Sequence, residues 1–295
     1  EIMPSLVGSE MCIRDSLTDT AHRRRISSVC VRLRALNARR ILNSEYTGKN
    51  PEYAKEPEME ISVCIPMYNE SERIAATAAE LSEYMSANFD DYEIIFSDDG
   101  STDGSADIVR AMGLPHVRVT GYTENRGKGC AVRTAFLEAG GDLVMFTDAD
   151  LAYGTDVIKR VYETHLAHPE AGMVIGSRNL DGAGYAGYTF FRRVASKVYI
   201  RLLCVIGGFR LSDSQCGCKG YTQDAVKKIF PRCLVDGFAF DFETILWAGK
   251  LGIGIVEMPV SVQRHSSSKV HVMRDAFKML ADLHRMKKRI ASEKV

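Results

Sequence analysis

The sequence predicts an α/β fold with a mostly parallel sheet flanked by helices. Three observations lead there. Strand-length apolar runs alternate with helix-length stretches from residue 61 to 177. Nearly every such run ends in a polar cluster, where ligands of parallel sheets bind. The composition, 295 residues with 45% hydrophobic and 26% charged, suits one large domain or two small ones.

Each element follows in chain order. Residues 61–66 read as a buried strand ended by Pro66. A helix is expected over 71–88, with Ser71 as its cap. Residues 92–97 form the second strand and run into Asp98-Asp99-Gly100-Ser101. A helix over 103–112, a strand over 117–122, a helix over 127–139 and a strand over 142–147 complete the βαβ series, which ends at Asp148. A helix over 154–168 and a strand over 173–177 lead to Arg178. The glycine-rich stretch 182–187 reads as a mobile loop, and 190–205 as a helix. Residues 219–222 and 254–259 look like late strands. An amphipathic helix over 274–290 ends in Arg285, Lys287, Lys288 and Arg289.

The start of the chain differs from the rest. Residues 1–20 have no period, cap or partner, and read as a non-native leader like those that sequencing-adapter read-through adds to gene models. Residues 21–59 hold a basic amphipathic helix and linker. Its first part, 21–43, carries seven arginines and no acid, a pattern that suits either an anionic membrane surface or a solvated helix on the domain. The domain proper is expected over 60–295, with a nucleotide-binding half at 60–150 and an acceptor half at 151–295. No run approaches the roughly 20 apolar residues of a membrane span. Formal net charge is zero, which argues against a nucleic-acid partner. The eight scattered cysteines read as free thiols of a reducing compartment.

Asp148 and Asp150 stand two apart after a strand. On an extended segment they point the same way and offer hard oxygens to Mg²⁺ or Mn²⁺. A capping pair for the next helix is the alternative. Asp98 and Asp99 can accept hydrogens from a base or ribose, or serve as turn and cap residues. Asn125-Arg126-Gly127-Lys128-Gly129 can bring amides and cations to phosphate at a helix N-terminus.

Four segments together resemble the nucleotide-binding half of family-2 inverting glycosyltransferases of the GT-A, Rossmann-like fold. They are Ile65-Pro66-Met67-Tyr68-Asn69-Glu70, Ser97 to Asp103, Asn125 to Gly129, and Thr147-Asp148-Ala149-Asp150. Further on, Gly176-Ser177-Arg178, Arg192-Arg193-Val194-Ala195-Ser196, Asp213 to Lys219, Phe240-Asp241-Phe242-Glu243 and 265–270 resemble dolichyl- and polyprenyl-phosphate sugar transferases. The nearest subgroup is dolichyl-phosphate β-glucosyltransferase. Where that subgroup has an aromatic residue this chain has Cys218, and the subgroup's N-terminal membrane helix is not seen.

The resemblance implies glucose transfer from UDP-glucose to dolichyl or polyprenyl phosphate. It implies Pro66, Tyr68, Glu70, Asp98, Asp99, Lys128, Asp148 and Glu243 on the nucleotide sugar, and Asp148 and Asp150 on the cation. Arg178, Arg192 and Ser196 would hold the acceptor phosphate. By the same resemblance Asp150, Asp241, Arg178 and Arg192 would form the catalytic set. Asp241 and Glu243 would bind donor hydroxyls, or else pair with Lys219 or Arg264. Arg192 and Arg193 could equally lie on a solvated helix face. The implied location is a membrane's cytosolic side: the endoplasmic reticulum in a eukaryote, the inner face of the plasma membrane in a prokaryote. There the basic N-terminal segment and the basic terminal helix would touch lipid. A GDP-mannose-dependent transferase and a non-catalytic sugar-nucleotide-binding protein are the competing readings.

Overall fold

A computed structural model describes residues 59–180, 190–264 and 272–294, without the side chains of 190–197, of 199 and of most positions of 272–281. The leader and the basic segment at 1–58, the glycine-rich stretch 182–187 and the 265–270 motif lie outside the described residues. Arg192 and Ser196 are placed only as positions on a helix.

The βα alternation builds as expected. Strands β1 (Ile61–Met67), β2 (Tyr92–Asp99), β3 (Val117–Tyr122) and β4 (Leu143–Thr147) are linked by helices α1 (Ile74–Asn88), α2 (Ser105–Ala111) and α3 (Lys128–Glu138). Then come α4 (Asp156–Ala167), β5 (Ala171–Ser177), α5 (Phe190–Gly207) and β6 (Cys218–Thr222). The chain ends with α6 (Gln223–Ile229), a short 3₁₀ turn at Phe230–Arg232, α7 (Phe240–Lys250), β7 (Gly254–Pro259) and α8 (Val272–Ser292). The strand order is β3-β2-β1-β4-β6-β5-β7.

Side-chain alternation explains the layers. Val63, Ile65, Ile94, Phe96 and Met145 face one core with α1 and α4, while Cys64, Ile95, Val144 and Phe146 face the other with α3, α6 and α7. All pairings are parallel except those of β6, which runs antiparallel between β4 and β5. β4 and β5 therefore point the same way, and their carboxyl ends share one edge of the sheet. The order reverses between β1 and β4, which opens the crevice where ligands of such sheets bind.

Three local expectations change. Ser71 does not cap α1; the helix starts at Ile74, and the Ser71 amide donates to Asp103 Oδ2 at 2.9 Å. Asp98 and Asp99 lie within β2 instead of after it. No helix is expected from sequence at 223–229 or 240–250; the first is only seven residues long, capped by Thr222, and the second begins without a side-chain cap.

Candidate active site

The loop after β1 is latched to the loop after β2. Asn69 N–H donates to Ser101 Oγ at 2.9 Å, Glu70 N–H to Ser105 Oγ at 2.8 Å, and Thr102 N–H to Asn69 Oδ1 at 2.9 Å. Asp103 holds the latch from below, taking hydrogen bonds from Ser105 and Ser71. This fixes Pro66, half-buried at the end of β1, and leaves Tyr68 exposed at the rim. Glu70 pairs with Arg73 at 2.9 Å.

The two aspartates ending β2 separate, because neighbouring strand residues point to opposite faces. Asp99 is buried. Its carboxylate takes the amides of Arg126 and Gly127 at 2.9 Å, Asn125 Nδ2 at 3.0 Å and the Tyr122 hydroxyl at 2.7 Å. Asp98 is half-buried and accepts from Ser101 N–H at 3.1 Å.

Within the Asn125–Gly129 segment, the amides of Arg126 and Gly127 serve Asp99, and just beyond it Cys130 N–H donates to the Asp236 carbonyl at 3.1 Å. Gly129 is required because a Cβ there would lie 2.6 Å from both Phe240 Cβ and the Val235 carbonyl. What this segment brings to the site is Lys128.

Asp148 and Asp150 sit on a turn, not on an extended segment: Leu151 N–H closes onto the Asp148 carbonyl at 3.0 Å. Leu151 adopts φ 47°, a left-handed conformation that is strained for a branched residue. Thr77 Oγ1 anchors the turn on the Ala149 carbonyl at 2.7 Å. Lys128 Nζ donates to Asp148 Oδ1. Burial pulls the Lys128 pKa down, but Asp148, Asp241 and Asp150 outweigh it, so the ammonium is held above the ordinary lysine value. Gly217, just before β6, packs on the same carboxylate; a Cβ there would lie 2.1 Å from Asp148 Oδ2.

Asp241, in the first turn of α7, joins this group through Lys219. The Lys219 side chain is fully buried. It donates to Asp241 Oδ1 and, at 2.7 Å, to the Cys216 carbonyl. Burial raises the Asp241 pKa; Lys219 and Lys128 oppose that only in part. The Phe146 ring carries both ammonium groups, Lys128 at 5.4 Å and Lys219 at 5.6 Å from its centroid. Glu243 lies elsewhere. Fully buried, it accepts from Leu234 N–H at 2.9 Å and Val235 N–H at 2.8 Å, and pairs with Arg289 of α8. Its partners are thus neither Lys219 nor Arg264; the latter forks onto Glu80 at 2.7 and 2.9 Å.

Arg178 follows β5 on the same sheet edge as Asp148, with β6 between their strands. Two strand spacings set them roughly 10 Å apart. The guanidinium grips Asp213 in bidentate form at 2.6 and 3.1 Å. Burial lowers its pKa, but Asp213 more than compensates and holds the cation firmly charged. Asp213 itself is set by Glu257 on β7, which accepts from the Asp213 and Ser212 amides at 3.2 and 2.8 Å. Lys219 is the partner that the sequence offered Asp241 as the alternative to a donor hydroxyl. The sequence assigns no individual role to Asp213, Gly217 and Glu257; Asp213 and Gly217 lie in the Asp213–Lys219 motif, which held the signal, and Glu257 carried none.

Among the described residues no cluster of three or more His, Cys, Asp or Glu side chains forms a metal cage. Two half-exposed carboxylates at a strand end fit instead a hard cation that takes its other oxygens from phosphate or water, the habit of Mg²⁺. The six cysteines among the described residues are free thiols.

The family model described as Glycosyl transferase family 2 matches residues 62–230. A dolichyl-phosphate beta-glucosyltransferase of Trichomonas vaginalis is 32% identical over 231 residues, covering 74% of this chain and 68% of that protein. One of Drosophila melanogaster is 32% identical over 235 residues, covering 75% and 72%. Among solved structures, glucosyl-3-phosphoglycerate synthase of Mycobacterium tuberculosis, crystallised with Mn²⁺, UDP and phosphoglyceric acid, superposes with a TM-score of 0.59 at 18% identity, covering 80% of each chain. That likeness establishes the GT-A fold.

Proposed function

The chain belongs to glycosyl transferase family 2, and on that premise we propose that it transfers glucose from UDP-glucose to dolichyl phosphate with inversion. One bond breaks, between the anomeric carbon and the UDP β-phosphate oxygen. One forms, between that carbon and an acceptor phosphate oxygen. The products are UDP and dolichyl β-D-glucosyl phosphate. The observation that carries the reading is the placement of Asp148, Asp150 and Lys128 on the same sheet edge as Arg178. One group suits a departing diphosphate, the other an incoming phosphate.

The donor's nucleotide would lie in the crevice between β1 and β4, against Pro66, Tyr68 and Asp98, with Glu70 at its rim. Asp99 and Glu243 contribute as positioning residues; their carboxylates are engaged within the chain. Asp148 and Asp150 would hold Mg²⁺ or Mn²⁺, which when bound neutralises charge on the departing diphosphate. Asp241, oriented by Lys219, faces the donor sugar. An alkyl phosphate has a second pKa near ~6 by analogy with phosphoserine, so the acceptor is mostly dianionic at neutral pH and needs no strong base. It needs a clamp, which the Arg178 guanidinium supplies with the N–H groups not used on Asp213. Arg192 and Ser196, on the first turns of α5, would complete it.

The acceptor's lipid chain is placed along α5. Val198, Leu202 and Val205 are exposed there. A groove of about 1020 Å³ runs beside them to Asn179 and Ser212, next to Arg178 and Asp213. Among the described residues no helix is long and apolar enough to cross a membrane. The reading puts the chain on the cytosolic face of the endoplasmic reticulum, in contact with lipid through this α5 surface.

Transfer of label from UDP-glucose to dolichyl phosphate, with and without EDTA, tests the reading. Expected are a lipid-linked product, loss of product with EDTA, and competition by UDP but not GDP. Asp150→Ala should lower turnover by roughly 10²–10³-fold, the scale of losing one electrostatic partner of a transition state. Full activity in that variant overturns the role of Asp150, and stronger competition by GDP overturns the donor.

A further inference from the structure

Two lysines share the Phe146 ring, and their settings differ. Lys219 is sealed: its side chain has no exposure, and it bonds both Asp241 Oδ1 and the Cys216 carbonyl. Lys128 is partly open, with 20% of its side chain exposed, and its hydrogen bond is to Asp148 Oδ1. Asp241 thus has its own fixed counter-charge. Asp148 has one on a flexible four-carbon stem. The remaining side of the Asp148 carboxylate faces Gly217, where even a methyl group would collide with Oδ2. With Gly217 packed on Oδ2 and the ammonium on Oδ1, a cation reaching this carboxylate, whose side chain is 35% exposed, must share Oδ1 with Lys128 or displace it.

We propose that Lys128 is a displaceable stand-in for the divalent cation: it guards Asp148 in the free protein and moves to the donor diphosphate as cation and nucleotide bind together. This rests on the reading of Asp148 and Asp150 as the cation site. The physical ground is charge balance. A divalent ion entering alone would meet the ammonium at close range in a partly desolvated pocket, where like charges repel strongly. A diphosphate offers the ammonium a new anion at the moment the carboxylate is needed by the metal. Each ligand then removes an obstacle to the other, and by linkage the coupling is reciprocal. Lys219 cannot play this part, because releasing it would strand Asp241 as an unpaired buried charge.

The test reads binding instead of turnover. Mn²⁺ is titrated into the full chain by the loss of its free-ion paramagnetic resonance signal, with and without saturating UDP. The wild-type protein should bind Mn²⁺ weakly alone and at least about tenfold more tightly with UDP, a coupling of ordinary size. Lys128→Met should tighten Mn²⁺ binding in the absence of UDP by about tenfold and shrink the gain from UDP by a similar factor. Lys128→Arg, which keeps the charge, should retain the wild-type pattern. If Lys128→Met binds Mn²⁺ without UDP no more tightly than wild type, the stand-in role is overturned while the cation site survives. If the wild-type protein binds no Mn²⁺ even with UDP, the cation site and the inference fall together.

Discussion

Asp98 and Asp99 are adjacent in sequence and do different work. Asp99 is a buried carboxylate whose hydrogen-bond donors among the described residues are main-chain amides, the Asn125 amide group and the Tyr122 hydroxyl, with no arginine or lysine side chain. Asp99→Ala strands those donors and should cost about 3 kcal/mol or more of folding free energy, read as a lower urea midpoint at unchanged slope. Asp98→Ala should leave that midpoint within about 0.5 kcal/mol and weaken UDP binding instead. Equal destabilisation by the two would refute the division. The sequence pattern placed both on the nucleotide because a strand-end Asp-Asp carries no mark of which face each takes; only the extent of β2 decides it. The turn at 148–151 was hidden in the same way. A left-handed leucine leaves no trace in composition, so the extended geometry assumed for Asp148 and Asp150 was wrong although their position at the strand end was right.

At the scale of elements, the first turn of α7 sends Asp241 toward the Lys219 and Asp148 group and Glu243 toward α8. Glu243 ties three pieces together: the 234–235 main chain, α7 and Arg289. Glu243→Gln keeps the shape but removes the anion facing Arg289. Because Arg289 keeps some exposure, the loss should be about 3 kcal/mol, the lower end for breaking a buried pair. UDP affinity measured well below the melting temperature should change little. A large loss of UDP affinity without loss of stability would instead return Glu243 to the donor site. The parallel half of the sheet was legible because its strands alternate with helices and end in polar clusters. The direction of β6 was not. A five-residue strand looks the same in either sense, and its direction follows from α5 returning the chain to the carboxyl edge of β4, where Gly217 must meet Asp148. Gly217→Ala should therefore abolish Mn²⁺-dependent UDP binding while leaving the far-ultraviolet circular dichroism spectrum unchanged; retained binding would show that the Asp148 carboxylate can shift without cost.

Across the whole molecule the question is which surface meets lipid. The sequence pointed to both basic ends. The basic segment at 21–43 lies outside the described residues, and the terminal helix α8 turns out to be engaged with protein. Leu283, Met286 and Ile290 are buried, Lys287 donates to the Ile206 carbonyl at 2.8 Å, and Arg285 and Arg289 pair with Asp282 and Glu243. A basic amphipathic pattern does not distinguish a helix that lies on lipid from one that packs on its own domain. Apolar surface near Arg178, the residue proposed to clamp the acceptor, is exposed on α5, at 62% for Val198, 43% for Leu202 and 73% for Val205. These positions lie three to four apart, one face of a helix. Each side chain buried in lipid would contribute on the order of 1.5–3 kcal/mol, so the three together would hold the site at the membrane surface. Replacing all three by Ser should reduce sedimentation with vesicles that carry dolichyl phosphate. Transfer to dolichyl phosphate in vesicles should fall by the same factor, while transfer to a short, water-soluble polyprenyl phosphate should be nearly unchanged, because Arg178 and Asp213 are untouched. Equal losses on both acceptors would place α5 in the structure of the catalytic site itself, and no loss on either would move the lipid contact to another surface.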